Sequence, residues 1–217
     1  MMGDRDFRSI VGNALDSIGK ELEINVDSAD IQTIHLHEVT HCMRRSYYDR
    51  IDPQKIQRKR FSELLPGLLK KLQYANAPKE FVIDDIKLRG QVDMLIDDSI
   101  FLFRDIANEL ENPQSKDILY LNACMWIYDK FDGIIVYLTR DGKEIMFSIS
   151  RNKKMFEETI RRVRVLNDLL KEQKTPILEP STECSECQYY ERCFMKNRST
   201  KQLDFTKILG FGKNKKE

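Results

Sequence analysis

Two apolar runs decide the fold of this chain: Ile86-Lys-Leu-Arg-Gly-Gln-Val-Asp-Met-Leu-Ile96 and, after a short polar break, Ile100-Phe-Leu-Phe-Arg-Asp-Ile106. With Phe81-Val-Ile83 before them, they are short, rich in β-branched and aromatic residues, and bounded by Asp or Gly, so the pattern predicts successive strands. Working outward, the sequence predicts a helix over 115–129, then a buried strand at Gly133-Ile-Ile-Val-Tyr-Leu138. A hairpin partner over 144–149 follows across Asp141-Gly142. A long amphipathic helix over 152–173 carries Phe156, Ile160, Val163, Leu166 and Leu170 on one stripe. Strands interleaved with helices give an α/β protein, a mixed sheet flanked by helices.

Upstream of the strands the spacing is helical. Val39, Met43 and Tyr47 place a helix over 37–50, which Pro53 ends or bends, and a second run covers 61–74 with a break at Pro66-Gly67. Residues 1–29 hold only a short stripe of Ile10, Val11, Leu15 and Ile18. The expected organisation is a helical segment over 1–60, a core over 61–175, a cysteine segment over 176–200 and a basic tail over 201–217.

At 217 residues, 41% hydrophobic and 33% charged, the chain suits one globular domain with at most a small appendage. No apolar run approaches the roughly 20 residues of a membrane helix, and no basic-then-apolar leader opens the chain, so it reads as cytoplasmic, with no membrane partner. The formal net charge of +1 conceals a local bias. Residues 42–60 carry Arg44, Arg45, Arg50, Lys55, Arg58, Lys59 and Arg60 against Asp49 and Asp52, a segment able to face phosphates or to form a solvated helix face.

Of five cysteines, three are packed as Cys184-x-x-Cys187-x5-Cys193 behind Pro176 and Pro180. In a reducing compartment such spacing points to metal ligation rather than disulfides. A fourth ligand must come from elsewhere, and Cys42 is the candidate; Cys124, between Ala123 and Met125, reads as a small buried hydrophobe. Four thiolates complete either a tetrahedral zinc or an Fe-S cluster, and spacing leaves the two equal. His35, His37 and His41 read as hydrogen-bonded or solvated residues near a helix start rather than as a second metal site.

Taken in order, these motifs resemble the CRISPR-associated Fe-S exonucleases of the RecB-like branch of the PD-(D/E)-x-K nuclease superfamily. They are Cys42-Met-Arg-Arg-Ser-Tyr-Tyr48, the turn Gly90-Gln-Val-Asp93, the helix leading into Gly133-Ile-Ile-Val-Tyr137, the long amphipathic helix and the closing cysteine triplet. The resemblance implies a restriction-endonuclease-like core and a 4Fe-4S cluster on Cys42, Cys184, Cys187 and Cys193, with zinc as the alternative. In that family the cluster closes the C-terminal segment onto an N-terminal helix.

The family's cutting centre takes an Asp after the Gly turn and Glu-x-Lys on the next strand, helped by an earlier His and by Gln-x-x-x-Tyr on the following helix. These groups hold Mg or Mn and position the attacking water. Here Asp93 matches the first position, whereas Leu102 and Arg104 stand for Glu-x-Lys, Tyr120 and Cys124 for Gln-x-x-x-Tyr, and Lys70 and Lys71 where the His is expected. Leu102 offers no oxygen to a hard cation, and Arg104 cannot act as a base although it can hold a phosphate. The expectation is therefore a DNA-binding member with Asp93 and Arg104 as remnants of a lost centre, Mg or Mn being relevant only if cutting survives through displaced ligands such as Asp97, Asp98 or Asp105. Arg44, Arg45, Arg58, Lys59 and Arg60 are expected on the backbone of single-stranded or frayed DNA, with Tyr47 or Tyr48 for stacking. CRISPR integrase proteins are the implied protein partners.

Overall fold

The computed structural model describes residues 26–53, 77–106, 108–139 and 143–194. It divides into two compact units, Met1–Ile177 and Leu178–Glu217. The first contains β1 (Thr33–His35), α1 (Leu36–Thr40), α2 (Met43–Ile51), β2 (Lys79–Ile83), β3 (Ile86–Gly90), β4 (Met94–Ile96), β5 (Ser99–Ile106), α3 (Ser115–Ile127), β6 (Asp132–Thr139), β7 (Glu144–Ser150) and α4 (Lys153–Lys171). The second contains a 3₁₀ turn (Thr182–Glu186) and α5 (Tyr190–Phe194). The expected helix over 61–74 and the stripe near Ile10 lie outside the described residues.

There are two mixed sheets rather than one. The first has the order β1-β3-β2 and the second β4-β5-β6-β7; β1/β3 and β5/β6 are parallel, the other pairs antiparallel. The run 86–96 accordingly forms two strands in different sheets. α3 causes the break: Tyr120 Oη donates to the Gln91 carbonyl at 2.7 Å, so that carbonyl is bonded by a side chain. The chain passes so close to α3 that a Cβ on Gly90 would sit 2.8 Å from Ile127 Cδ1.

Alternation does the rest. Ile100 and Leu102 of β5, with Ile135 and Tyr137 of β6, are fully buried, and Gly133 admits Leu121 of α3 so closely that a Cβ there would meet its side chain at 2.6 Å. α4 buries Phe156, Val163, Leu166 and Leu170 of its predicted stripe and is capped by Asn152 Oδ1, which accepts from the Met155 N–H.

The predicted helix over 37–50 is broken at His41-Cys42, both extended, and Cys42 becomes the N-cap of α2. The carbonyls released at the end of α1 are not lost to the core. Arg162 of α4 donates to the Val39 carbonyl and, at 3.0 Å, to that of His41, so an arginine completes the helix end. β1, which the sequence pattern did not suggest, buries Ile34.

Candidate functional site

Arg104 is the centre of the site. On β5 it shares a face with Ile100 and Leu102, while Asp93 occupies the turn before β4 and Asp117 the first turn of α3. The guanidinium lies between the two carboxylates: Nη1 is 3.2 Å from Asp93 Oδ2 and Nε is 3.3 Å from Asp117 Oδ1. Nη1 also donates to the Phe103 carbonyl at 2.7 Å, and the group lies 5.4 Å from the centroid of the Tyr120 ring.

Each carboxylate has a further donor. Asp93 Oδ2 accepts the Phe103 N–H at 2.8 Å. Asp117 Oδ2 accepts from Tyr137 Oη at 2.7 Å, and that oxygen accepts the Gln114 N–H at 2.9 Å. Burial pushes the Asp93 carboxyl above the usual carboxylate range, with Arg104 and the Phe103 N–H acting against it. Burial also works against the charge of Arg104, but Asp93 and then Asp117 outweigh it and raise its pKa. Tyr120 and the Cys124 thiol are both pushed upward, chiefly by burial, which leaves Cys124 a neutral, fully buried packing group, as its place between Ala123 and Met125 suggested.

These contacts answer whether the residues suit a divalent cation. Mg or Mn needs several oxygen ligands in its first shell; here Leu102 is fully buried and supplies none, and a fixed cation already bridges the two carboxylates. The displaced ligands do not assemble. β5 pairs with β6 residue by residue from Ser99 to Ile106 with no bulge, which leaves Asp105 on the face away from Leu102. Asp97 and Asp98 sit at the opposite end of β5, where Asp98 is 95% exposed and bound by Lys130.

Asp117 and Tyr137 belong to this site and went unread in the sequence. An Asp in a helix's first turn ordinarily signals the helix dipole, and Tyr137 is one aromatic in an apolar strand; only the sheet register brings them to Arg104.

The residues expected on DNA separate into three groups. Arg45 is partly exposed and 3.7 Å from Asp49, and Arg44 leans on Tyr48, its Nε 3.4 Å from the hydroxyl. Tyr47 and Tyr48 are 3% and 4% exposed, so neither ring is on the surface and the stacking role expected of them is withdrawn. Arg58, Lys59 and Arg60 lie outside the described residues. Arg50, from the same basic run, is structural: Nε and Nη2 grip the two oxygens of Glu38 at 2.6 and 2.8 Å, while Nη1 and Nη2 reach the carbonyls of Asp30 and Thr33.

Of the three histidines, His35 is the N-cap of α1, His37 lies within it and His41 is its C-cap. His35 precedes α1 and its N–H bonds Glu38 Oε2 at 2.7 Å. Burial lowers the pKa of His37 to about 4, with Glu38 opposing.

In the second unit Cys184 and Cys187 are half-buried, Cys193 is buried, and no disulfide joins any of the five cysteines. Ser181 directs its N–H to Cys184 Sγ at 3.3 Å. Among the described residues no group of three or more His, Cys, Asp or Glu is gathered to hold a metal ion. The suitability of the triplet for a soft metal or cluster therefore rests on donor chemistry, and Cys42 is half-buried at the start of α2.

No protein-family model and no curated protein matches the sequence. Among solved structures the chain is similar to the crystal structure of SSO0001, with a TM-score of 0.62 and 18% identity over 87% of this chain and 97% of that one. It also aligns with an alkaline exonuclease, LHK-Exo, from Laribacter hongkongensis, at a TM-score of 0.47 and 12% identity over 71% of this chain and 93% of that one. The first likeness establishes a shared fold; the chemistry has to come from this chain's own residues.

Proposed function

We propose that this protein is a nuclease-like, DNA-binding member of the CRISPR-associated Fe-S exonuclease family in which metal-dependent cleavage is lost or impaired. The observation that carries the reading is Arg104 bridging Asp93 and Asp117. Hydrolysis of a phosphodiester in this superfamily needs carboxylates free to hold a divalent cation against the scissile phosphate. A guanidinium supplies one positive charge, has no vacant coordination positions and cannot activate water by lowering its pKa. It does, however, neutralise part of the buried acid and hold β5, α3 and the turn at Asp93 in the arrangement a nuclease core requires.

DNA binding in this reading comes from the basic run, with Arg44, Arg45, Arg58, Lys59 and Arg60 on the backbone of single-stranded or frayed DNA. The Asp93–Arg104–Asp117 group carries a formal charge of −1 and does not itself attract phosphate. A 4Fe-4S cluster on Cys42, Cys184, Cys187 and Cys193, or zinc in its place, supplies soft-metal stabilisation of the fold. In the cytoplasm, the protein acts in or on spacer acquisition, beside CRISPR integrase proteins.

A second reading is an active Mg- or Mn-dependent exonuclease. Its displaced ligands would have to include Asp117, since Asp97, Asp98 and Asp105 point elsewhere. A third is a structural subunit that binds adaptation proteins and no DNA. Fluorescence anisotropy with an end-labelled single strand separates the third from the first. Arg44→Glu/Arg45→Glu should weaken binding and reduce the salt slope by about 1.4, roughly 0.7 for each lost phosphate contact. Unchanged affinity and slope would remove these two residues from the DNA interface.

A further inference from the structure

We propose that the outer edge of β7 is a self-association surface on which a second copy of this chain pairs, antiparallel, about an axis through Phe147. The edges of the two sheets differ. β1 and β4 are three residues long, and β2 carries Lys79 and Glu80 in its first two positions, both exposed. Short strands and edge charges are the usual means by which a sheet avoids a new partner. β7 has neither. It runs for seven residues, Glu-Ile-Met-Phe-Ser-Ile-Ser, with one charge at its start and no Pro, Gly or bulge. β6 is its one strand partner among the described residues.

The sequence of β7 is complementary to itself. Antiparallel pairing centred on Phe147 sets Phe147 against Phe147, Ile145 against Ile149, Met146 against Ser148 and Glu144 against Ser150. Every pair joins residues of the same face, so the register keeps both faces continuous. No two like charges within the strand oppose each other, and cross-strand apolar and aromatic pairs of this kind stabilise a ladder. On one face Ile145, Phe147 and Ile149 are half-buried and Phe147 packs edge-on to Tyr137, 5.9 Å between ring centroids. On the other, Met146 is 65% exposed, a large apolar side chain that the pairing would cover from both copies. The product is an isologous dimer with an eight-stranded sheet, an arrangement independent of whether the protein binds or cuts DNA.

Sedimentation equilibrium of the full chain tests this, with circular dichroism as the control for folding. The wild type should be a dimer at micromolar concentration. Met146→Lys/Ser148→Lys, which sets Lys against Lys twice, should weaken the dimer at least about tenfold, because like charges directly opposite destabilise a strand pair. Met146→Lys/Ser148→Glu, which sets Lys against Glu twice, should retain it. A monomeric wild type would overturn the proposal. So would folded double variants that associate equally, since the register predicts opposite outcomes for the two.

Discussion

Arg104 Nη1 stands 3.2 Å from Asp93 Oδ2 across the turn between the two sheets, and Nε of the same guanidinium stands 3.3 Å from Asp117 Oδ1. One side chain thus ties a strand, a turn and a helix start together. Arg104→Ala leaves two buried carboxylates without their shared cation, and breaking such an arrangement from one side costs on the order of 2–4 kcal/mol, reduced somewhat by the partial exposure of the arginine. Urea unfolding reads that loss directly. A change below about 0.5 kcal/mol would mean that Arg104 does not balance the pair.

Arg50 and Glu38 form the more deeply buried pair, with side chains 1% and 3% exposed. Arg50→Ala should cost about 3–5 kcal/mol. Arg50→Lys should recover little, because a single ammonium cannot reproduce the fork that holds Glu38 together with the carbonyls of Asp30 and Thr33. Thermal and urea midpoints of the two variants should lie close together and well below wild type.

His37 gives the protein an acid-sensitive term. In the unfolded chain its imidazole takes up a proton near the ordinary value of 6.5, whereas burial delays this in the folded protein until about pH 4. Between those values the unfolded state binds more protons, so stability is complete above pH 6.5 and declines as pH falls toward 4. Urea midpoints across pH 4–7 should show this decline, and His37→Gln should flatten it. An unchanged slope in the variant would assign the acid sensitivity to other groups.

Iron content separates the two metal readings. Anaerobically purified protein should carry iron and acid-labile sulfide, and Cys187→Ser should lose both along with thermal stability. Zinc in place of iron would point to the tetrahedral site instead, and iron retained in the Cys187→Ser variant would contradict the ligand assignment.

Much of the core could be read from the chain because its elements follow simple periods. The stripe on α4 and the alternation of β5, with the β6–β7 hairpin, each arise from local pattern, and the packing agrees with it. The failures share a cause: a distant side chain overruled the local signal. The run 86–96 looked like one strand until Tyr120 took the carbonyl of Gln91, and the helix over 37–50 looked continuous until Arg162 satisfied the carbonyls at its break. That Leu102 and Arg104 share a face was legible from strand alternation, because β5 is free of bulges. Asp117 was not, since nothing in Ser-Lys-Asp says that a helix start will face a strand residue thirteen positions earlier.

The most direct test of the proposed loss of cutting is degradation of end-labelled single-stranded DNA by the anaerobically purified protein with Mn or Mg, recorded beside binding in the same samples and beside Asp93→Ala. The wild type should bind the strand and leave it intact with either metal. Cutting by the wild type that disappears in Asp93→Ala would contradict the proposed loss, and would show that Asp93 holds a catalytic cation despite Arg104.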